Sequence, residues 1–184
     1  MEHNPWQILG EQKIYSNPWI QLTEYQVIDP SGGKGIYGKV QFQNIAVGII
    51  PLDAEQHTWL VGQYRFPLQQ YSWEIPEGGA PLGTDPLASA QRELKEETGL
   101  TSGNWKELLR MHLSNSVSDE LAIVFLATDL TPGPASPEET ELLQLKRVPI
   151  TIAFEMVARG EITDAISVAA LLQLQLHLIE SKQK

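Results

Sequence analysis

The chain contains no cysteine. That excludes disulfides, thiolate metal sites and a thiol nucleophile, and makes the reducing cytoplasm the expected compartment. Basic residues are scarce: 13 Lys and Arg stand against 23 Asp and Glu, a formal charge of −10. This balance disfavours long nucleic acids, which are bound chiefly by cations that neutralise phosphates. A small anionic substrate stays open, provided that metal ions and a few local basic groups bridge it to the acidic chain. No apolar run is long enough to span a bilayer, because the richest stretch, Ala165 to Ile179, is short and broken by Gln173, Gln175 and His177. The opening Met1-Glu2-His3-Asn4-Pro5-Trp6 has neither a basic nor an apolar segment of a secretory signal. Membrane partners are therefore not expected. What is present, 184 residues with 42% hydrophobic and 20% charged, suffices for one well-cored domain plus a small appendage.

The most informative stretch is Gly78 to Leu100. Thr84 or Asp85 can cap a helix, Pro86 sits where a missing N–H costs nothing, and Gly99 before Leu100 fits a stop, so a helix is predicted over residues 86–98. Leu87, Ala90 or Gln91, Leu94 and Thr98 recur as a buried stripe, leaving Glu93, Glu96 and Glu97 on an acidic face. Carboxylates three and four residues apart repel by about 0.2–0.5 kcal/mol per exposed pair. Arg92 and Lys95 relieve part of this. Taken alone, a Glu-rich helix is a solvated face; three clustered carboxylates also suit a hard divalent cation such as Mg²⁺, which prefers oxygen ligands.

Elsewhere, Asn4-Pro5-Trp6, Asn17-Pro18-Trp19 and Asp29-Pro30-Ser31-Gly32-Gly33 mark turns between three strand-like stretches, a small antiparallel N-terminal unit. Such a unit buries little by itself and must pack on the main domain or on a second copy. Further strands are predicted at Ile45 to Pro51, Thr58 to Arg65, Tyr71 to Ile75, Trp105 to Leu113, Leu121 to Thr128 and Leu142 to Val148. Thr151 is expected to cap a helix ending at Arg159, and Thr163 one running from Asp164 to about Glu180. Mixed strands and helices imply an α/β sandwich.

Gly78 together with Arg92-Glu93-Leu94-Lys95-Glu96-Glu97-Thr98-Gly99-Leu100 resembles the Nudix box of the Nudix hydrolases, G-x5-E-x7-R-E-U-x-E-E-x-G-U with U aliphatic. One position departs, since Thr84 stands where the family has its first Glu. The resemblance implies a Nudix α/β/α sandwich, with residues 1–44 as an N-terminal β subdomain and residues 45–184 as the hydrolase domain. It also implies Mg²⁺, or Mn²⁺ in its place, held by Glu93, Glu96, Glu97 and the main-chain carbonyl of Glu77, with Arg92 orienting the glutamates.

Gly62-Gln63-Tyr64-Arg65 followed by Trp73-Glu74-Ile75-Pro76-Glu77-Gly78-Gly79 is similar to the ADP-ribose pyrophosphatase and nucleoside-diphosphate-sugar hydrolase group. In that group both segments anchor the diphosphate side, which here designates Tyr64, Arg65 and Glu74. The group's loop base or further metal ligand falls on Glu139, with Glu141 close behind. Ser116 replaces a Pro that ADP-ribose-selective members carry about 16 residues beyond the box, so strict ADP-ribose selectivity is not expected, and a broader range or a different nucleoside diphosphate sugar stays open. Asn115 with His112 and Ser114 is a candidate sugar contact, and Trp6, Trp19 and Tyr25 are candidates for stacking on a base. The group's N-terminal strands exchange between subunits, so a homodimer with composite pockets is expected. The resulting expectation is hydrolysis of a nucleoside diphosphate sugar to a nucleoside monophosphate and a sugar phosphate. The alternatives are a non-cleaving sugar-nucleotide sensor and a nucleoside triphosphate or RNA cap pyrophosphohydrolase.

Overall fold

Two side-chain-capped turns organise the start of the chain. Asn17 accepts the N–H groups of Trp19 and Ile20 at 2.9 and 2.7 Å, and Asp29 accepts those of Ser31 and Gly33 at 2.8 and 3.0 Å. They connect β1 (Gln7–Ser16), β2 (Ile20–Ile28) and β3 (Lys34–Phe42) into an antiparallel sheet in the order β1-β2-β3, the three-stranded unit expected. The structure, a computed structural model, describes residues 3–135 and 143–181.

The remaining strands form two further sheets. One runs β7 (Glu77–Pro81), β4 (Asn44–Pro51), β9 (Leu121–Pro132), β8 (Leu100–His112), with β4 and β9 parallel. The other runs β10 (Gln144–Pro149), β5 (His57–Arg65), β6 (Gln70–Glu74). Among the described residues three α-helices cover them: α1 (Pro86–Thr98), α2 (Ile150–Ala158) and α3 (Ala165–Ser181).

Period-two alternation along β4 and β9 sends their side chains into two separate cores. Val47, Ile49, Ile123, Phe125 and Ala127 pack with Ala90 and Leu94 of α1. Ile50, Ala122 and Val124 pack on the other side with Leu60, Ile75, Leu171 and Leu174. A sheet buried on both faces reads as near-continuous apolar sequence, which accounts for Ile45-Ala46-Val47-Gly48-Ile49-Ile50 and Leu121-Ala122-Ile123-Val124-Phe125-Leu126. The result is the α/β sandwich that the sequence predicts.

Several local expectations are corrected. β7 was not foreseen, and β8 begins at Leu100 rather than Trp105. α2 starts at Ile150 behind Pro149, with no side-chain cap from Thr151, because Pro149 already presets the entry and cannot donate an N–H. Asp164, not Thr163, caps α3: its carboxylate accepts the Ser167 N–H at 2.7 Å. A carboxylate satisfies the positive helix end better than a hydroxyl one residue earlier. Glu97 is not on the exposed acidic face but buried, 6% accessible, on the side of α1 that carries Ala90 and Leu94. Among the described residues no helix is long and apolar enough to cross a membrane.

Candidate active site

Asp85 accepts the Leu87 N–H at 3.0 Å, Pro86 follows, and Gly99 closes α1 at φ 73°, so the acidic helix has the limits its sequence dictates. Thr84 serves the loop before it, its hydroxyl donating to the Pro81 carbonyl at 2.7 Å. α1 lies against β7 so closely that a Cβ on Gly78 would fall 2.0 Å from the carboxyl carbon of Glu93. Only glycine leaves room for that carboxylate. Glu97 reaches beneath the same strand and accepts the Glu77 N–H at 3.1 Å.

Arg92 lies between two of the glutamates, donating to Glu93 and Glu96 at 2.6 Å each, with a longer reach of 3.4 Å to the Gly79 carbonyl. It holds the charge cluster together. Burial raises the Glu93 carboxyl above its ordinary range, and Arg92 offsets part of that rise.

Beside Gly78 and Gly79 opens a cleft of about 580 Å³. Trp19, Phe42 and Leu113 form an apolar wall, Asn44 and Gln63 present amides, and Arg65 contributes the basic group. Arg65 is at the end of β5, aligned by two bonds from its Nε to the Glu74 carboxylate at 2.9 and 3.0 Å and by a further one from its terminal nitrogen. Glu74 is buried on β6, so the guanidinium is anchored from behind while about a third of the Arg65 side chain stays open to solvent.

The cleft floor is acidic. Glu77, Glu120 and Asp164 all line it, and Arg65 is the sole cation among the described lining residues. Burial, then the neighbouring Asp164 carboxylate, push the Glu77 carboxyl well above its ordinary range. The Ser167 hydroxyl donates to Glu77 at 2.9 Å and accepts the Ile75 N–H at 2.9 Å, tying β6, β7 and α3 into one corner. Burial and Asp164 also raise the Glu120 carboxyl.

The site residues predicted from sequence divide into three groups. Glu77, Arg65 and Trp19 line the cleft, Glu74 supports it through Arg65, and Arg92, Glu93, Glu96 and Glu97 stand behind the β7 glycines. Tyr64 and Asn115 are exposed and outside the cleft lining. Glu139 and Glu141 lie outside the described residues. Asn44, Glu120, Asp164 and Ser167 were missed as contributors; the available signal for Ser167 was a lone hydroxyl in the apolar run Ala165-Ile166-Ser167-Val168-Ala169-Ala170.

Among the described residues no three acidic or histidine side chains already converge as a finished cage. The donor set nevertheless fits a hard divalent cation, being all oxygen, with space at Gly78 for the Glu93 carboxylate. The make-up of the cleft points the same way, since Glu77, Glu120 and Asp164 outnumber the one guanidinium among the described lining residues, and a bound cation would offset them toward an anionic substrate.

A solved crystal structure of an ADP compounds hydrolase superposes with a TM-score of 0.87 at 21% identity, covering 98% of both chains, a likeness in fold. The ADP-ribose pyrophosphatase of Bacillus subtilis (strain 168) is 30% identical over 178 residues, 96% of each chain. That of Mycobacterium tuberculosis (strain ATCC 25618 / H37Rv) is 30% identical over 175 residues, 94% of this chain and 84% of its own. The sequence profile of the NUDIX domain matches residues 43–171, a span that contains β4, the close-packed Gly78 and all three helix glutamates. With that span covering well over half of its length, the chain belongs to the NUDIX domain family.

Proposed function

We propose that the protein is a divalent-metal-dependent hydrolase of nucleoside diphosphate sugars, ADP-ribose among them, yielding a nucleoside monophosphate and a sugar phosphate. The observation that carries this reading is the cleft itself, where an anchored guanidinium, an apolar wall and the carboxylate-backed glycines of β7 meet. The relatives' activity on ADP-ribose agrees with it.

Glu93, Glu96 and Glu97, with the Glu77 carbonyl, would hold Mg²⁺ or Mn²⁺, which supplies charge neutralisation on the diphosphate and an acidified water. The chain's own groups do the rest. Arg65 takes phosphate oxygens in a direction fixed by Glu74. Arg92 keeps Glu93 and Glu96 from swinging apart. Trp19 and Phe42 offer the apolar surface for a base or sugar. Glu139 or Glu141, on the segment between β9 and β10, serves as the base.

The test is phosphate release, with Mg²⁺ and a coupled phosphatase, from a panel of ADP-ribose, other nucleoside diphosphate sugars, dinucleoside polyphosphates, nucleoside triphosphates and capped RNA. Preferential cleavage of diphosphate sugars is the expected result. Preference for triphosphates or caps would overturn the branch assignment, and binding without cleavage would overturn catalysis.

The active unit is proposed to be a homodimer in which residues 1–44 complete the pocket of the hydrolase domain at 45–184. Ile8, Leu9, Ile14, Tyr15 and Ile36 all face solvent from β1 and β3, more apolar surface than one small sheet ordinarily leaves open. Sedimentation at micromolar concentration should give the dimer mass; a monomer would count against it.

A further inference from the structure

β3 is an edge strand, and an edge leaves outward N–H and C=O groups in need of partners. Here the connection between β8 and β9 supplies them. The Val40 N–H donates to the Val117 carbonyl at 2.8 Å, and the Asp119 N–H donates to the Val40 carbonyl at 3.2 Å. The next outward group, the Phe42 N–H, has no main-chain acceptor from the connection and is taken by the Asp119 carboxylate at 3.0 Å. The second oxygen of that carboxylate is 2.8 Å from Lys39 Nζ, and the Tyr37 hydroxyl donates to the Ser116 carbonyl nearby.

Position in the chain gives these bonds their consequence. Asp119 precedes Glu120, which lines the cleft, and the Glu120 carbonyl accepts the Leu113 N–H at 3.2 Å, closing the connection on itself. Phe42, at the other end of the Asp119 bond, lines the cleft as well, as does Leu113. One side chain therefore joins two walls of the pocket that are 77 residues apart in sequence. We propose that Asp119 is a positioning residue of the substrate cleft: by accepting the Phe42 N–H it fixes Phe42, Leu113 and Glu120 relative to one another, and so sets substrate affinity rather than the chemical step.

Which of its two contacts matters follows from exposure. Lys39 and Asp119 are 36% and 39% accessible in their side chains, a range in which ion pairs contribute little. The bond to the Phe42 N–H, by contrast, is what ties β3 to the connection beside the cleft: with the carboxylate removed, water can take the N–H but does not hold the two segments together. Burial works against the Asp119 charge, yet the bonds from Lys39 and the Phe42 N–H outweigh it and hold the carboxyl below its ordinary range. The main-chain bonds at Val40 do not depend on the side chain, so its loss leaves the N-terminal sheet docked. The groups on α1 and β7 that face the diphosphate belong to other elements and keep their geometry.

The proposal rests on the cleft's reading as a diphosphate-sugar site, and its test separates the two. Steady-state kinetics on a nucleoside diphosphate sugar that the wild type cleaves are compared for Asp119→Ala, Asp119→Asn and Lys39→Met, with amide hydrogen exchange measured on each. For Asp119→Ala, KM should rise about tenfold with kcat within about threefold, and the Phe42 and Leu113 amides should exchange faster. Asp119→Asn, which keeps an oxygen for the Phe42 N–H, should restore most of the KM, and Lys39→Met should leave it near the wild-type value. An unchanged KM and unchanged exchange in Asp119→Ala, or a fall in kcat alone, would overturn the positioning role. So would Asp119→Asn behaving like the alanine variant. A wild type that cleaves no diphosphate sugar would instead overturn the proposed function, and the exchange at Phe42 and Leu113 would then decide the latch by itself.

Discussion

Glu97→Gln is expected to lose about 10³-fold in kcat on a nucleoside diphosphate sugar, because a ligand to the cation supplies several kcal/mol of transition-state charge stabilisation. The fold should survive. Glu97 is buried and accepts the Glu77 N–H, and the amide oxygen of glutamine can accept the same bond. What glutamine lacks is the negative charge. A Glu-to-Gln change thus separates the observed duty of the side chain, bracing β7 against α1, from the proposed one, holding a cation. Thermal unfolding should shift by a few degrees at most, while calorimetric titration with Mg²⁺ shows weakened binding. Near-normal turnover would reject the ligand assignment. Equal losses of stability and activity would mean that the buried bond, not the charge, is what the site requires.

The helix that carries these glutamates was legible because everything that defines it is local. Asp85, Pro86 and Gly99 are a cap, a permitted proline and a left-handed stop within one short segment, and α1 runs over residues 86–98. β7 was not legible for the opposite reason. Glu77-Gly78-Gly79-Ala80-Pro81 has no β-branched or aromatic residue, and it is a strand only because β4 pairs with it from Asn44 to Gly48. The burial of Glu97 has a local and a distant part: it follows Leu94 by three residues and Ala90 by seven, on the face they share, while the Glu77 N–H that it accepts lies 20 residues earlier.

The candidate site shows the same division. Arg65 and Glu74 were named from a short motif, and the hairpin of β5 and β6 brings them together in the antiparallel register that places Arg65 beside Gln70 and Val61 beside Glu74. Glu120 and Asp164 belong to segments 44 residues apart, and only tertiary packing, with α3 against β4, β8 and β9, puts both on one cleft. Carboxylates that meet through tertiary structure leave no spacing to detect. Their accumulation opposite one arginine among the described lining residues favours a cation that accompanies an anionic substrate.

Gly78→Ala provides the complementary test. Gly78 sits in a strand, where alanine is conformationally ordinary, so the glycine is there for space and not for backbone freedom. The added methyl would lie 2.0 Å from the Glu93 carboxyl carbon, 2.1 Å from its Oε1 and 2.4 Å from its Cγ, far inside contact distance. Something must move, and the cheapest thing to move is the end of a flexible glutamate side chain. Displacing it costs the fold little, because Ala90 and Leu94 still hold α1 in its core. It costs the site a great deal: Glu93 leaves the position beside β7 and breaks its 2.6 Å bond to Arg92, which then no longer balances Glu93 against Glu96. At a metal ligand, the role proposed for Glu93, a displacement of this size is worth about 10²-fold in rate. The expected result is a melting temperature near that of the wild type with kcat down by that factor and weaker Mg²⁺ binding. A variant that unfolds would show that the strand and not the side chain gives way, and one that keeps full activity would show that Glu93 does its work from another position.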